Sequence, residues 1–514
     1  MQATAGAVGQ RKRRWTGSLA LGLLCTGFLT AGACRSASAA DPLGPTGQAT
    51  RADPGGSIRD FHLTAVPALI ELGPGVKVHA WTYNGTVPGP TIRATVGDLV
   101  RVRLTNRLSE DTSINWHGLR VPNGEDGVAG VTQDPVLPGQ TVTLAFVART
   151  PGTYWYHSFT RALEQVDRGL YGPLIIDPLN EAAPPAVDQT LIYDEWPWGL
   201  EKSSPPPPTD PLMNSYVTYS VNGRTGAAIA PVRVQPGRPV RLRLINAGFE
   251  THFVQVDGTA VTITAFDGHS VIGGPPTGRA LPLGAGERLD VEFLASDTPA
   301  WVRLVHGLPP ADQVPVPLLP VGSPVPASRP PPSAAAPEGY VDFFAYPARA
   351  QDSEWPSGAA PTRTFTLALT QAVSSGSGAE AMAPGMEPMA GTWFEINGKT
   401  FPSTQNLVVS QGDRVEITFD NQSRTDHAMH LHGHAFQLLS RDGTPASGLI
   451  VKDTVVVLPG SRVKVGFVAN NPGWWLLHCN ELDHAAAGLM TLVVYQGIAR
   501  PAQLGGRLGS VPHD

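Results

Sequence analysis

The residues with the clearest capacity for chemistry lie near the C-terminus of the chain. Cys479 ends an apolar run that is typical of a buried strand, and His484 follows five residues later. A histidine-rich segment that begins at His427 lies upstream. A trigonal set of two histidines and one cysteine, with a weak or missing axial ligand, is what a blue copper electron-transfer site requires. The sequence therefore predicts that His427, Cys479 and His484 bind a type 1 copper.

The first 40 residues have the features of an export signal. A basic cluster with an Arg13-Arg14-Trp15 run, which is typical of a twin-arginine signal, precedes an apolar run too short for a stable membrane span. Cleavage near Ala40 would give an exported protein that is extracellular, periplasmic or at the cell surface. The alternative is a lipid anchor at Cys34, although the large apolar residue that usually stands three positions earlier is missing.

The cysteine count supports the metal assignment. Cys25 and Cys34 belong to the predicted signal, so Cys479 alone remains in the mature chain and cannot form an internal disulfide. A lone cysteine is otherwise a small buried hydrophobe. Cys479, however, follows His478 directly and precedes His484 at ligand spacing, so we interpret it as a metal ligand.

Composition and charge limit the partners. The chain has 514 residues, of which 41% are hydrophobic and 16% charged, as expected for a globular protein with several cores. Removal of the five basic residues of the signal would change the net charge from −6 to −11. A moderately acidic surface argues against nucleic acid as a partner. We expect a monomer with no stable membrane span.

One pattern of strands and turns occurs three times along the chain. Each copy has an Asn-Gly turn, an alternating segment that contains a glycine, and a second turn and strand, within roughly 150 residues. The alternating segments cover residues 95–104, 234–244 and 409–417. Short strands with Gly and Pro turns and little helical periodicity predict an all-β protein of three β-sandwiches.

The repeats and the composition give a domain organisation. Residues 205–208 read as a Pro-rich loop within the second unit. The predicted segments are an export signal over 1–40, a linker over 41–60, domain 1 over 61–182, domain 2 over 183–310, a Pro-rich linker over 311–340, domain 3 with the type 1 copper over 341–502 and a tail over 503–514.

The three units differ in their histidines. Domain 1 carries His117 and His157, and domain 3 carries the histidine-rich segment together with Cys479. Domain 2 has His252 and His306 but no cysteine, and isolated histidines are usually structural. We therefore expect the metal chemistry to involve domains 1 and 3.

At these motifs the chain resembles the three-domain multicopper oxidases, a family that includes laccases, bilirubin oxidases and bacterial cuprous oxidases. The resemblance covers nearly all of the mature chain and rests on TSINWHGL at 112–119, GTYWYHS at 152–158, GLYGPL at 169–174 and HLHGH at 430–434. It implies three consecutive cupredoxin-like Greek-key domains. In that family a type 1 copper takes electrons from a substrate, and a trinuclear copper cluster between the first and third domains reduces dioxygen to water.

The resemblance assigns roles at the type 1 site. It puts the ligands at His427, Cys479 and His484, and the axial position at Leu489, which cannot ligate. A missing axial ligand tends to raise the copper potential. Met490 is the alternative axial residue if the turn is shifted.

The same resemblance implies an altered trinuclear site. The family uses His-x-His pairs because alternate residues of a strand point the same way. Three of the four pairs are broken here, by Asn115, Phe159 and Asn480. Phenylalanine cannot bind copper, and asparagine offers only a weak, hard oxygen. Five histidines remain, which would suit one or two coppers better than three: His117, His157, His430, His432 and His478.

Two further features, an aspartate and a group of methionines, match the family but also have simpler explanations. Asp126 matches the acidic residue that helps to deliver protons to oxygen in the family, but in a Gly-rich loop it could equally form a turn. Met382, Met386 and Met389 lie where cuprous oxidases carry a Met-rich segment, and thioethers suit Cu(I). An exposed flexible loop is the favoured explanation of these three methionines.

Two classes of function follow. In the first, the protein is a copper oxidoreductase in which electrons from a phenol, a metal ion or Cu(I) pass through Cys479 and His478 to a reduced cluster, with dioxygen as a second candidate partner. In the second, it is a type 1-only cupredoxin that transfers electrons or binds copper without oxidase activity. The intact type 1 set favours a laccase-like oxidoreductase, while the broken pairs argue against ordinary dioxygen reduction.

Overall fold

The computed structural model describes residues 51–197, 216–305, 314–326, 339–373 and 392–499. Within them the chain forms strands, two short α-helices and two 3-10 turns, at Asn123–Glu125 and Gly226–Ala228. Several predictions fall outside these residues, namely the export signal with Cys25 and Cys34, the loop over 205–208, His306, the three methionines at 382–389 and the tail.

The first sandwich has two four-stranded sheets. Its elements are β1 (Ile58–Gly73), β2 (Val76–Tyr83), β3 (Ile92–Thr95), β4 (Leu99–Asn106), β5 (Asn115–His117), β6 (Thr141–Val147), β7 (Gly152–His157), α1 (Ala162–Asp167) and β8 (Tyr171–Asp177). The sheets run β2-β1-β4-β6 and β3-β8-β7-β5. In β4, Val100, Val102 and Leu104 are buried whereas Arg101 and Arg103 are exposed, so the predicted alternation builds one face of the core.

The second sandwich has larger sheets. Its strands are β9 (Val187–Pro197), β10 (Tyr216–Val221), β11 (Val232–Val234), β12 (Pro239–Asn246), β13 (His252–Val256), β14 (Thr262–Phe266), β15 (His269–Ile272), β16 (Leu281–Leu283), β17 (Arg288–Leu294), β18 (Ala300–Val305) and β19 (Val316–Pro320). The sheets run β10-β9-β12-β17-β14-β15 and β11-β19-β18-β13-β16, and a short strand β20 (Arg349–Ala350) extends the first of them next to β15.

Strand β19 lies inside the stretch expected to be a Pro-rich linker. It pairs in parallel with β11 and antiparallel with β18, so the second sandwich continues beyond residue 310. All five residues of Val316–Pro320 are buried. The apolar residues between the prolines thus join the core, which the proline content alone did not indicate. Likewise, β1 begins at Ile58, within the linker predicted over 41–60.

The third sandwich carries the cysteine. Its elements are β21 (Arg363–Val373), β22 (Thr392–Ile396), β23 (Leu407–Val409), β24 (Arg414–Asn421), β25 (His427–Leu431), β26 (Phe436–Arg441), β27 (Thr444–Pro445), β28 (Val451–Lys452), β29 (Thr454–Val457), β30 (Arg462–Val468), β31 (Trp474–Cys479), α2 (Leu482–Ala486) and β32 (Met490–Tyr495). The sheets run β22-β21-β24-β30-β26-β27, with β28 beside β26, and β23-β32-β31-β25-β29.

The threefold repeat is visible in the backbone. The turn asparagines Asn84, Asn222 and Asn397 have φ of 60°, 51° and 53°, and the glycine after each is also at positive φ, as two-residue hairpin turns of type I′ require. Each alternating segment bends at a positive-φ glycine into two strands of different sheets. The short first strands then pair in parallel, as β3-β8, β11-β19 and β23-β32. The fold is therefore three consecutive cupredoxin-like β-sandwiches.

The first and third sandwiches meet at the candidate site. One buried apolar cluster includes Phe159 and Val128 from the first sandwich and Leu476 and Met490 from the third. The side-chain amide of Asn123 donates to the Trp474 carbonyl oxygen at 2.7 Å across the same boundary. Loop residues of the first sandwich thereby pack against strands β31 and β32 of the third.

Candidate metal centre

The candidate ligands are positioned by two neighbouring central strands, β25 and β31. They pair antiparallel, with His430 opposite His478 and Met429 opposite Cys479. Successive residues of a strand point to opposite faces of the sheet. His478 and Cys479, although adjacent in the chain, therefore belong to two separate groups of donor atoms.

The first group brings together the three predicted type 1 ligands. Cys479 Sγ lies 3.8 Å from His427 Nδ1 and 3.7 Å from His484 Nδ1, and the two Nδ1 atoms are 3.1 Å apart. Helix α2 follows the cysteine strand directly and returns His484 to it. All three side chains are buried. The sulfur and two imidazole nitrogens thus converge on one point, as a copper ion would require.

A hydrogen bond at Nε2 fixes the orientation of the His427 ring. Its Nε2 lies 2.8 Å from the Ser423 hydroxyl oxygen, whose own hydrogen can go to Asn421 Oδ1 at 2.8 Å. Nε2 then carries the ring proton, and Nδ1 presents its lone pair to the donor group. Burial lowers the pKa of His427 to about 2, so the ring is neutral, as metal ligation requires.

A carboxylate that sequence reasoning missed also enters this group. Glu481 Oε2 lies 2.5 Å from His484 Nδ1 and 3.8 Å from Cys479 Sγ, and the residue is 5% exposed. Burial raises the pKa of Glu481 to about 7. Burial also lowers the pKa of His484, but Asp483 and Glu481 outweigh this and raise it to about 9. Glu481 stands between two predicted ligands, where the sequence offers no signal beyond its acidic type.

The two axial candidates differ in their surroundings. Leu489 is fully buried, and its carbonyl oxygen accepts a hydrogen bond from the Cys479 amide at 3.1 Å. Met490 pairs with His478 in strand β32 and belongs to the apolar cluster that contains Phe159.

The second group contains His432 and His478, whose Nε2 atoms lie 3.0 Å apart. His478 Nδ1 lies 2.7 Å from the Cys479 carbonyl oxygen, and His432 Nδ1 lies 3.0 Å from Asp126 Oδ2. Because a carbonyl or a carboxylate can only accept, both Nδ1 atoms carry hydrogen and both Nε2 atoms present lone pairs. Two lone pairs that face each other at 3.0 Å fit a shared cation.

Three further histidines complete the interdomain site. The rings of His117 and His430 stack with centroids 3.9 Å apart, and His157 lies 5.6 Å from His117. Among the described residues, His117 Nδ1 and His157 Nε2 have no hydrogen-bond partner. Burial lowers the pKa of His117, His430 and His157, the last to about 3, and the rings are therefore neutral. Orphaned neutral nitrogens suit metal ions.

The three residues that break the histidine pairs also face this site. The Phe159 ring lies edge-on to His432 and His478, at centroid distances of 5.3 and 5.2 Å. Asn115 Nδ2 donates to the Asp126 backbone oxygen at 2.7 Å. The side-chain oxygens of Asn115 and Asn480 have no partner within the part of the chain that the structure describes. The three residues therefore lie beside the interdomain histidines.

An ion pair behind the histidines was not visible in the sequence. Asp453 forms a bidentate pair with Arg288 at 2.6 and 2.8 Å, and Asp453 Oδ1 lies 3.3 Å from His430 Nδ1 and 3.6 Å from His117 Nε2. Burial would raise the pKa of Asp453, but Arg288 outweighs it and holds that pKa well below its usual range. Arg288 comes from the second sandwich, so no local spacing could connect it with Asp453.

His252, which the sequence analysis took to be structural, lies beside a carboxylate in the second sandwich. His252 Nε2 lies 2.8 Å from Glu195 Oε1, away from both donor groups. His434, in the histidine-rich segment, contacts the Tyr495 hydroxyl through Nε2 at 2.6 Å.

Known proteins resemble this chain along most of its length. Sequence models described as multicopper oxidase match residues 68–181, 187–308 and 376–497, which together exceed half of the chain. The chain belongs to the multicopper oxidase family. It is therefore a copper oxidoreductase of the multicopper oxidase type.

Individual relatives cover most of the chain. The chain is 33% identical over 470 residues to multicopper oxidase MmcO of Mycobacterium tuberculosis, covering 84% of this chain and 86% of that one. It is 30% identical over 476 residues to laccase-2 of Botryotinia fuckeliana, covering 81% and 78%. Among solved structures, a multi-copper oxidase from Pseudomonas thermotolerans matches with a TM-score of 0.66 at 27% identity, over 86% of this chain and 100% of that one. A laccase from Botrytis aclada matches with a TM-score of 0.69 at 25% identity, over 87% and 90%.

In the described ranges, neither helix has the length and apolar character that crossing a bilayer demands.

Proposed function

We propose that this chain is an exported copper oxidoreductase that takes electrons from a phenolic compound, a metal ion or Cu(I), and that its reduction of dioxygen is weak. Membership of the multicopper oxidase family and the convergence of His427, Cys479 and His484 support the first part. The second part rests on one observation. Asn115, Phe159 and Asn480 line the interdomain histidines at positions where the family resemblance calls for further imidazoles.

Each candidate residue has a distinct proposed role. His427, Cys479 and His484 would hold a type 1 copper, which supplies one-electron chemistry when bound. His117, His157, His430, His432 and His478 would hold any further copper. The peptide unit between Cys479 and His478 connects the two donor groups. Asp126 would orient His432 through their 3.0 Å contact and offer a carboxylate on which a proton can reside.

A second candidate function is a cupredoxin that transfers electrons or binds copper without oxidase activity. The observation in its favour is that the donors of the first group are complete, while three positions around the second group carry no imidazole. In that case a partner protein or small molecule, rather than dioxygen, would receive the electron.

Copper stoichiometry combined with oxygen uptake tests the proposal. We expect the mature chain, loaded with copper, to bind fewer than four ions and to consume oxygen slowly with phenolic, ferrous and cuprous donors. Four tightly bound coppers with brisk oxygen reduction would contradict the second part. A protein that binds copper but accepts electrons from none of these donors would contradict the first.

A further inference from the structure

Glu481 is a buried carboxylate whose position calls for a cation. It is 5% exposed, and among the described residues its ion-pair partner is His484. Burying a carboxylate is costly unless it is paired or coordinates a metal. The partner atom, however, is His484 Nδ1, the same atom that points to Cys479 Sγ at 3.7 Å. His484 therefore cannot donate a proton to Glu481 and bind copper through Nδ1 at the same time.

The geometry places the carboxylate inside the donor group rather than behind it. Glu481 Oε2 lies 3.8 Å from Cys479 Sγ, the same distance that separates Sγ from His427 Nδ1. One atom from each of the four residues lies within 4.8 Å of the other three. A residue that only oriented His484 would be expected at Nε2, the far side of the ring. That side faces Asp483, whose Oδ2 is 4.0 Å away.

We propose that Glu481 is a fourth ligand of the type 1 copper, donating a carboxylate oxygen alongside His427, Cys479 and His484. This assignment rests on the proposed type 1 site, to which Glu481 would add a negatively charged ligand. Copper would replace the proton that His484 and Glu481 share in the metal-free protein. The buried carboxylate then has its cation, and the histidine remains a neutral ligand.

An anionic oxygen ligand changes the chemistry of the site. Carboxylate is a hard ligand, whereas thiolate and thioether are soft ligands that suit Cu(I). Glu481 should therefore stabilise Cu(II) relative to Cu(I) and lower the reduction potential, in the opposite direction to a missing axial ligand. The protein would then prefer strongly reducing donors over weakly reducing ones.

The test uses the full mature chain loaded with Cu(II), with Glu481→Gln and Glu481→Leu as variants. Both remove the charge, and leucine also removes the oxygen. Asp483→Asn is the matched control, because it removes a carboxylate two residues away that contributes no atom to the donor group and lies 4.0 Å from His484 Nε2, beyond hydrogen-bond distance. The measurements are the copper hyperfine splitting in electron paramagnetic resonance, the visible spectrum and the reduction potential from redox titration.

We expect both Glu481 variants to change the hyperfine splitting. We also expect the ratio of Cu(II) to Cu(I) affinity to fall at least tenfold, which raises the reduction potential by about 59 mV for a one-electron couple. Asp483→Asn should leave the hyperfine splitting unchanged and shift the potential less. If Glu481→Gln leaves the splitting unaltered, or shifts the potential no more than Asp483→Asn does, the fourth-ligand assignment is wrong. A wild type that binds Cu(II) without an intense blue band would instead overturn the type 1 site itself.

Discussion

The backbone carbonyl oxygen of Cys479 accepts a hydrogen bond from Nδ1 of His478 at 2.7 Å. This contact fixes the tautomer of His478, so that its Nε2 faces His432 while the cysteine sulfur faces the opposite side of the strand. It also gives a second connection between the two donor groups, in addition to the covalent chain. Strand β31 thus holds a thiolate and an imidazole in a fixed relation on its two faces.

The first prediction concerns Cys479. The protein loaded with Cu(II) should show an intense blue charge-transfer band, because a thiolate binds the ion. Cys479→Ser should abolish the band and leave the fold intact, since serine has nearly the same size in this buried position. Visible absorption and circular dichroism check both statements. A colourless wild type would contradict the assignment of Cys479.

The second prediction concerns the support of His427. Ser423→Ala removes the hydroxyl that receives the Nε2 proton at 2.8 Å and should weaken Cu(II) binding at the type 1 site roughly 10–100-fold, as loss of such supports typically does. Competition titration with a chelator measures the effect. Ser410→Ala is the control, since Ser410 bonds Gln496 in the same sandwich. Equal affinities in the two variants would show that Ser423 does not orient the ligand.

The third prediction concerns the interdomain histidines. Asn115→His, Phe159→His and Asn480→His should each restore little, because each supplies one imidazole to a site that lacks three. The triple variant should bind more copper and gain oxygen uptake in a strongly non-additive way, as residues that act together do. Copper analysis and an oxygen electrode check this.

The main risk in the triple variant is stability. Replacing the fully buried ring of Phe159 by imidazole introduces polar atoms into an apolar cluster, and an unbonded buried polar group costs roughly 1–3 kcal/mol. Phe401→His, in the same cluster, is the control for that cost. Three independent, additive gains in oxygen uptake would contradict the prediction of cooperative restoration.

The fourth prediction concerns the buried pair behind the histidines. Arg288→Met should destabilise the metal-free protein by roughly 3–5 kcal/mol at neutral pH, because Asp453 is left as an uncompensated charge. The pKa of Asp453 is depressed in the folded protein. The ionised, paired carboxylate therefore stabilises the fold at pH values above the ordinary aspartate pKa of about 3.9, and this stabilisation is lost as the pH falls below that range. Urea denaturation at several pH values measures both effects.

The control for this prediction is Arg101→Met, which breaks an exposed pair with Asp60 and should leave stability nearly unchanged. If Arg288→Met lowers the free energy of unfolding no more than Arg101→Met does, the buried pair is not required to hold the second and third sandwiches together.

The sequence predicted the architecture and the candidate ligands around Cys479 from local spacing, whereas the family resemblance implied the interdomain histidines. Alternation in β4 and the Asn-Gly turns mark the repeat, and the five-residue interval from Cys479 to His484 marks a strand followed by a short helix. Other contributors depend on long-range packing. Arg288 reaches Asp453 only after two sandwiches have docked. Glu481 enters the donor group only because the backbone turns immediately after the cysteine strand.

The turn that precedes β17 in the second sandwich has a consequence for maturation. A Cβ atom on Gly286 would lie 2.1 Å from Asn480 Nδ2 and 3.0 Å from His117 Cε1, so the middle sandwich forms part of the wall around the interdomain histidines. The complete wall around those histidines therefore includes residues of all three sandwiches. The donors around Cys479 all come from the third sandwich. Copper uptake should therefore be sequential, with the cysteine pocket able to fill first and the interdomain histidines acquiring metal as the last step.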